Sequence, residues 1–202
     1  MPGPQSETLP SDTQLWLIRH GETEWSASGR HTGRTDVDLT ERGVAQAEAL
    51  RGMLVGIEPA LVLVSPRLRA QRTAKLAGFP DAQIRPDLAE WDYGDYEGLT
   101  TSQIERSDPG WTIWTGRVPG GESVHRVTVR ADAVLAEAVA SLATGPVLLF
   151  GHGHINRALA ARWIRRPLTS GGDFALGTAA PCLLGVEHSQ PVVVRWNLPN
   201  PA

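Results

Sequence analysis

Two short apolar runs, each emptying into a His-Gly step, constrain this chain more than any other feature. Leu15-Trp16-Leu17-Ile18 is followed by Arg19-His20-Gly21-Glu22, and Val147-Leu148-Leu149-Phe150 by Gly151-His152-Gly153. Four apolar residues are too few for a helix, and a glycine closes each run, so both are expected to be buried strands. In open α/β sheets ligands bind at the carboxyl ends of the strands. The repeated pattern therefore points to two imidazoles, those of His20 and His152, facing one pocket.

Between and beyond these runs the pattern alternates. Further strands are expected at Leu61-Val62-Leu63-Val64, around Ile84, and at 183–186 and 192–194. Helices are expected after an N-cap at Thr40, from Ser65-Pro66 onward, after a cap at Ser123, and through Ile155, Leu159 and Trp163. Residues 23–38 show neither period and read as a loop above the first strand. Strands alternating with helices predict an α/β fold, a three-layer α/β/α sandwich around a mostly parallel sheet.

The 202 residues, 41% of them hydrophobic, suffice for one full core. Residues 1–13 are polar and proline-rich, and are expected to be a flexible N-terminal segment without a signal peptide. A single domain is expected over 14–198, with 87–121, rich in Trp, Tyr and Gly, as an excursion over the site. A net charge of −3 argues against a nucleic-acid footprint, and no run approaches a membrane span. Cys182 is the only cysteine, which rules out an intrachain disulfide and suits a reducing cytoplasm.

Arg19 beside His20 could be an incidental charged pair at a strand end. Its meaning changes because Arg69 and His152 also stand just beyond apolar strands. Two guanidinium forks and two imidazoles suit a tetrahedral dianion. Gly21 and Gly153 would let backbone N–H groups approach it, and a helix starting after His152 would add its positive end. The triplet His152-Gly153-His154, with Glu22 nearby, also admits a metal reading. Fixed arginine charge beside a cation and the lack of an aspartate weigh against it, so no metal and no cofactor are expected. His154 reads as a loop residue near the entrance, and His31, His125 and His188 as surface or capping residues.

Five ordered motifs carry a resemblance. Arg19-His20-Gly21-Glu22-Thr23 resembles the arginine-histidine-glycine signature of the histidine phosphatase superfamily, the phosphoglycerate mutase-like enzymes. The segment 65–74, with Arg69 as phosphate ligand, is similar to the second arginine motif of that family. Leu88-Ala89-Glu90, followed by Tyr93-Gly94 and Glu97-Gly98, is similar to its acid/base segment. Gly120-Gly121-Glu122-Ser123 and Gly151-His152-Gly153 complete the order. Together these motifs span about two-thirds of the chain and are specific where any one alone is weak.

The resemblance implies a phosphoglycerate mutase-like fold and a metal-independent phosphoric monoester hydrolase. His20 would be the nucleophile, Glu90 the proton donor and acceptor, and Arg19, Arg69 and His152 the groups that neutralise the phosphoryl oxygens. Trp91 and Tyr93 predict an apolar wall beside Glu90. Ser26 stands where the mutase branch carries an asparagine phosphate ligand, and Thr32 and Gly33 fit the loop over the phosphate. Substrate choice is expected to lie in 90–125 and around Arg34. The run 90–98 with the Trp111–Trp114 pair most resembles acid phosphatases and sedoheptulose bisphosphatase-like members, which implies small sugar phosphates as substrates. A phosphoglycerate mutase and a non-catalytic phosphate-binding protein are the alternatives. The expected partner is a small phosphomonoester, with neither nucleic acid nor membrane; a homodimer is left open.

Overall fold

The computed structural model describes residues 9–202. Most of the expected flexible segment, residues 1–8, lies outside the described residues. Its last part is already packed: Leu9 lies against the core, and Thr13 donates to the Pro10 carbonyl from N at 3.2 Å and from Oγ1 at 2.6 Å.

The chain forms β1 (Leu15–Arg19), α1 (Glu24–Ala27), α2 (Glu41–Met53), β2 (Leu61–Val64), α3 (Leu68–Leu76), β3 (Gln83–Ile84), α4 (Thr101–Ile104), α5 (Val124–Leu142), β4 (Val147–Gly151), α6 (Gly153–Trp163), β5 (Pro181–Glu187) and β6 (Gln190–Arg195). One six-stranded sheet runs in the order β3-β2-β4-β1-β5-β6. β3, β2, β4 and β1 are parallel neighbours, and β5 and β6 join antiparallel at the β1 side.

Alternation along the strands builds two cores. Leu15, Leu17, Leu63, Val147 and Leu149 face α5 and α6, packing with Val127, Leu135, Ile155 and Leu159. Ile18, Val64, Leu148 and Phe150 face the opposite way, against Leu50, Ala70 and Ala74 of α2 and α3. The three-layer α/β sandwich with a mostly parallel sheet follows from these two faces. No helix of the described residues is long and apolar enough to cross a membrane.

Four local expectations are corrected. The stretch 23–38 holds a short helix, α1, closed by a reciprocal capping box between Thr23 and Ser26. Ser65-Pro66 does not open α3, which starts after Arg67. The end of the chain, expected to be loose from Pro199 to Ala202, is tied down, with the Asn200 amide donating to Gln46 and Ala179 carbonyls at 3.0 and 2.9 Å. Finally, Gly21 serves packing more than ligand approach. A Cβ there would lie 2.3 Å from the Gly43 carbonyl oxygen of α2, and its N–H donates to Thr73 Oγ1 at 3.0 Å.

Candidate active site

Sheet register builds the centre of the site. β1 and β4 pair from Leu15↔Val147 to Arg19↔Gly151, so the next residues, His20 and His152, emerge side by side. The His20 N–H donates to the Gly151 carbonyl at 3.1 Å, and the two rings meet edge-on with centroids 5.2 Å apart. β2 pairs with β4 up to Val64↔Phe150, which brings Ser65 to the same level.

The partners of each ring decide its tautomer. His20 Nδ1 lies 2.7 Å from the Gly21 carbonyl, which can only accept, so Nδ1 carries the hydrogen and Nε2 keeps its lone pair. His152 is reversed. Its Nε2 lies 2.6 Å from Ser65 Oγ, and the buried Ser65 hydroxyl has no other acceptor for its hydrogen among the described residues, so it donates to the ring while accepting from the Arg67 N–H at 3.3 Å. The hydrogen of His152 is therefore on Nδ1. Burial, then Arg69 and Arg19, hold His20 well below the usual histidine range. Burial, then Arg69, His20, Arg19 and Arg67, do the same to His152. Both imidazoles are neutral.

Around them are guanidinium groups braced by carbonyl oxygens. Arg19 donates from Nη1 to Leu176 at 2.6 Å. Arg69, fully buried, donates from Nη1 to Thr35 at 2.9 Å and from Nη2 to Thr32 and Gly33 at 2.8 and 3.4 Å. The Nε atoms of Arg19, Arg67 and Arg69 and Nδ1 of His152 are buried with no protein acceptor. A desolvated donor without an acceptor costs about 1–3 kcal/mol, more when charged. Four such N–H groups in one cationic neighbourhood form a receptor for an oxyanion.

Glu90, in the loop that follows β3, lines the same pocket with its carboxylate against the start of α6. One carboxylate oxygen accepts the N–H groups of Trp91 and Ile155 at 2.9 and 3.0 Å, and the other that of His154 at 2.9 Å. Trp91 and Tyr93 are buried beside it as expected, yet the carboxylate is satisfied by backbone donors rather than left in an apolar wall. A Cβ at Gly153 would sit 3.5 Å from the Arg19 guanidinium carbon and 3.7 Å from Glu90 Oε2, so the lack of a side chain keeps the space between them open.

The other residues expected to hold phosphate fall into two groups. Ser26, Thr32 and Gly153 line the pocket with Arg19, His20 and Glu90. The Ser26 hydroxyl is engaged in its own helix cap, donating to the Thr23 carbonyl at 3.0 Å, and the Thr32 hydroxyl donates to Arg30 at 3.1 Å. Gly33 stands behind the wall. Its N–H donates to the Glu97 carboxylate at 2.9 and 3.0 Å and its carbonyl faces Arg69, so its contribution is to brace that arginine.

A family model for the histidine phosphatase superfamily (branch 1) matches residues 15–199. The chain belongs to the histidine phosphatase superfamily. It is 49% identical over 178 residues to an acid phosphatase of Mycobacterium tuberculosis, covering 87% of each chain. It is 32% identical over 208 residues to sedoheptulose 1,7-bisphosphatase of Saccharomyces cerevisiae, covering 86% of this chain and 72% of that one. A solved structure from M. tuberculosis, the product of open reading frame Rv3214, superposes with a TM-score of 0.90 at 45% identity, over 94% of this chain and 99% of that chain.

This histidine phosphatase has a second wall, in which the expected aromatic excursion is joined by two histidines that sequence reasoning did not place there. His31 is not a surface residue. It is buried, with its ring 4.7 Å from Tyr93, 5.4 Å from Trp111 and 5.8 Å from His154. His154 belongs to α6 rather than a loop, and its ring also meets Trp114 at 5.4 Å. The His152-x-His154 triplet is thus split between the phosphate receptor and this wall. Among the described residues, no three His, Cys, Asp or Glu side chains gather as metal ligands. Arg157, one turn further along α6, lies over Trp114 and lines the pocket. Arg34 is paired with Asp92 at 2.7 Å. Ser65 and Arg67 were missed because only the register of β2 brings them to the site.

Proposed function

We propose that this chain is a phosphomonoester hydrolase that works through a phosphohistidine at His20 on small phosphorylated metabolites such as sugar phosphates. The observation that carries the reading is the pairing of a neutral imidazole, its Nε2 lone pair free, with the unsatisfied N–H donors of Arg19, Arg69 and His152 near it.

In the first step His20 Nε2 attacks phosphorus and the ester P–O bond breaks. The bonding pair goes to the leaving alkoxide, which takes a proton from the carboxylic acid form of Glu90. Negative charge spread over the non-bridging oxygens meets Arg19, Arg69 and the Nδ1–H of His152, all fixed before substrate arrives. In the second step a water gives its proton to Glu90 and attacks phosphorus. The P–N bond breaks, phosphate leaves, and His20 regains its lone pair. Names of relatives support the substrate class: one is an acid phosphatase and another a sugar bisphosphatase.

Hydrolysis is expected over isomerisation. Only 62 residues separate Glu90 from His152, and 19 of them form α5, which leaves little chain for a full lid against water. The test is incubation with 3-phosphoglycerate and a trace of its bisphosphate, and separately with a sugar phosphate, following phosphate release and isomer exchange together. Phosphate release with radiolabel trapped on His20 in an alkaline quench is the expected result. Isomer exchange much faster than release would make the chain a mutase, and label on His152 would overturn the nucleophile.

A further inference from the structure

The wall beyond Glu90 contains one hydrogen bond whose direction can be deduced. Tyr93 Oη and His154 Nδ1 are 2.5 Å apart. Tyr93 is buried, and among the described residues its hydroxyl has no other partner. A buried phenol needs an acceptor for its hydrogen, and a ring nitrogen that carried its own hydrogen could not provide one. Tyr93 therefore donates, Nδ1 accepts, and the hydrogen of the neutral His154 ring is on Nε2. Burial, then Arg157, His31 and Arg19, keep that ring uncharged. Nε2 bonds to nothing among the described residues, and His154 lines the pocket.

Position gives this donor a task. The carboxyl that protonates the leaving oxygen marks where that oxygen stands, and His154 Nδ1 is 3.9 Å from Glu90 Oε2. An in-line displacement from His20 sends the leaving group away from His20, past Glu90 and toward this wall. Arg157 is held there by Gly171 and Gly172 carbonyls at 2.9 and 3.2 Å. The wall thus presents N–H donors on an aromatic frame.

We propose that His154 is a specificity-determining residue that donates from Nε2–H to an acceptor oxygen on the leaving alcohol, a hydroxyl or a carboxylate, with Tyr93 as the positioning residue that fixes its tautomer. This rests on the phosphatase reading of the same pocket.

The experiment compares kcat/KM for a sugar phosphate, for 3-phosphoglycerate and for phenyl phosphate, whose leaving group has no acceptor oxygen beyond the ester. His154→Ala should lower the ratio of either oxygen-rich substrate to phenyl phosphate roughly tenfold, mainly through KM, the size expected for one lost hydrogen bond. The substrate that loses more identifies hydroxyl or carboxylate as the group bound. His154→Gln, which restores an N–H donor, should recover part of the ratio. Tyr93→Phe should lower it less. Because that variant removes a buried hydroxyl, the wild-type ring is also read directly by 15N NMR, which must show the hydrogen on Nε2. Equal losses for all three substrates, no loss, or a hydrogen on Nδ1 overturns the proposal. Failure of the wild-type chain to hydrolyse even phenyl phosphate would instead overturn the phosphatase reading.

Discussion

Replacing Ser65 by alanine removes a single fully buried oxygen, yet it should damage catalysis through His152. The Ser65 hydroxyl holds the hydrogen of His152 on Nδ1 by donating to Nε2 at 2.6 Å inside a fully buried environment. Without it both ring nitrogens are buried and unpartnered, since Nδ1 already has no protein acceptor. Leaving a buried acceptor unsatisfied costs about 1–3 kcal/mol of stability, and about 2–4 °C of melting temperature per kcal/mol in a chain of this size. Turnover should fall because the wrong tautomer offers a lone pair, not a donor, to the phosphoryl oxygens. Losing an oxyanion donor outright costs about 10²–10³ in kcat, so Ser65→Ala should cost less, about tenfold. A double-mutant cycle separates this from general damage. In a His152→Ala background, Ser65→Ala should cost almost nothing further in kcat/KM. Losses that simply multiply would refute the coupling.

The remaining predictions concern charge and proton transfer. His20, His31, His152 and His154 are all held below the usual histidine range, chiefly by burial. They stay neutral in the fold while the unfolded chain takes up protons near pH 6.5, so stability should fall as pH drops below about 6.5, each group contributing until its own folded pKa is reached. Melting temperatures from pH 7 to 5 check this, and a flat profile would contradict the neutral rings. The acid limb of kcat/KM should likewise lie below pH 6.5, because His20 keeps its lone pair there; a limb at or above 6.5 would point to an ordinary, solvated nucleophile. Glu90→Gln should slow phosphorylation of His20 by sugar phosphates far more than by an activated aryl phosphate, which needs less protonation of its leaving oxygen. Rapid-quench measurement of the first step decides, and equal losses would remove Glu90 from its acid role.

The strands that carry the site were legible because each is a run of four apolar residues with no competing helical reading. Once β1 and β4 were placed, the neighbourhood of His20 and His152 followed from the topology of parallel sheets. The long helix α5 was equally plain, since its 19 residues keep one apolar stripe from Val127 to Leu142. The aromatic wall was legible only in part: composition placed Tyr93, Trp111 and Trp114 over the site, but not the histidines that join them. Its members at 31, 93, 111, 114 and 154 share no period, and four of them sit in loops whose course is set by tertiary packing. His31 in particular has polar and glycine neighbours in sequence, so nothing local marks it as buried. The tautomers were also beyond reach. They depend on a serine 87 residues from His152 in one case and a tyrosine 61 residues from His154 in the other.

The strand order has a consequence for how the molecule is made. β4 lies between β2 and β1, although it is synthesised long after both. Until residues 147–151 leave the ribosome, β1 has no strand partner and β2 has only the two residues of β3, so a growing chain carries two open apolar edges through more than eighty residues of elongation. Exposed edges of that kind recruit other chains. Insertion of β4 closes both gaps and in the same event delivers His152 beside His20. Chains that stop short of β4 should therefore be insoluble as well as inactive, and the phosphate receptor is a late product of folding rather than a module that could exist on its own.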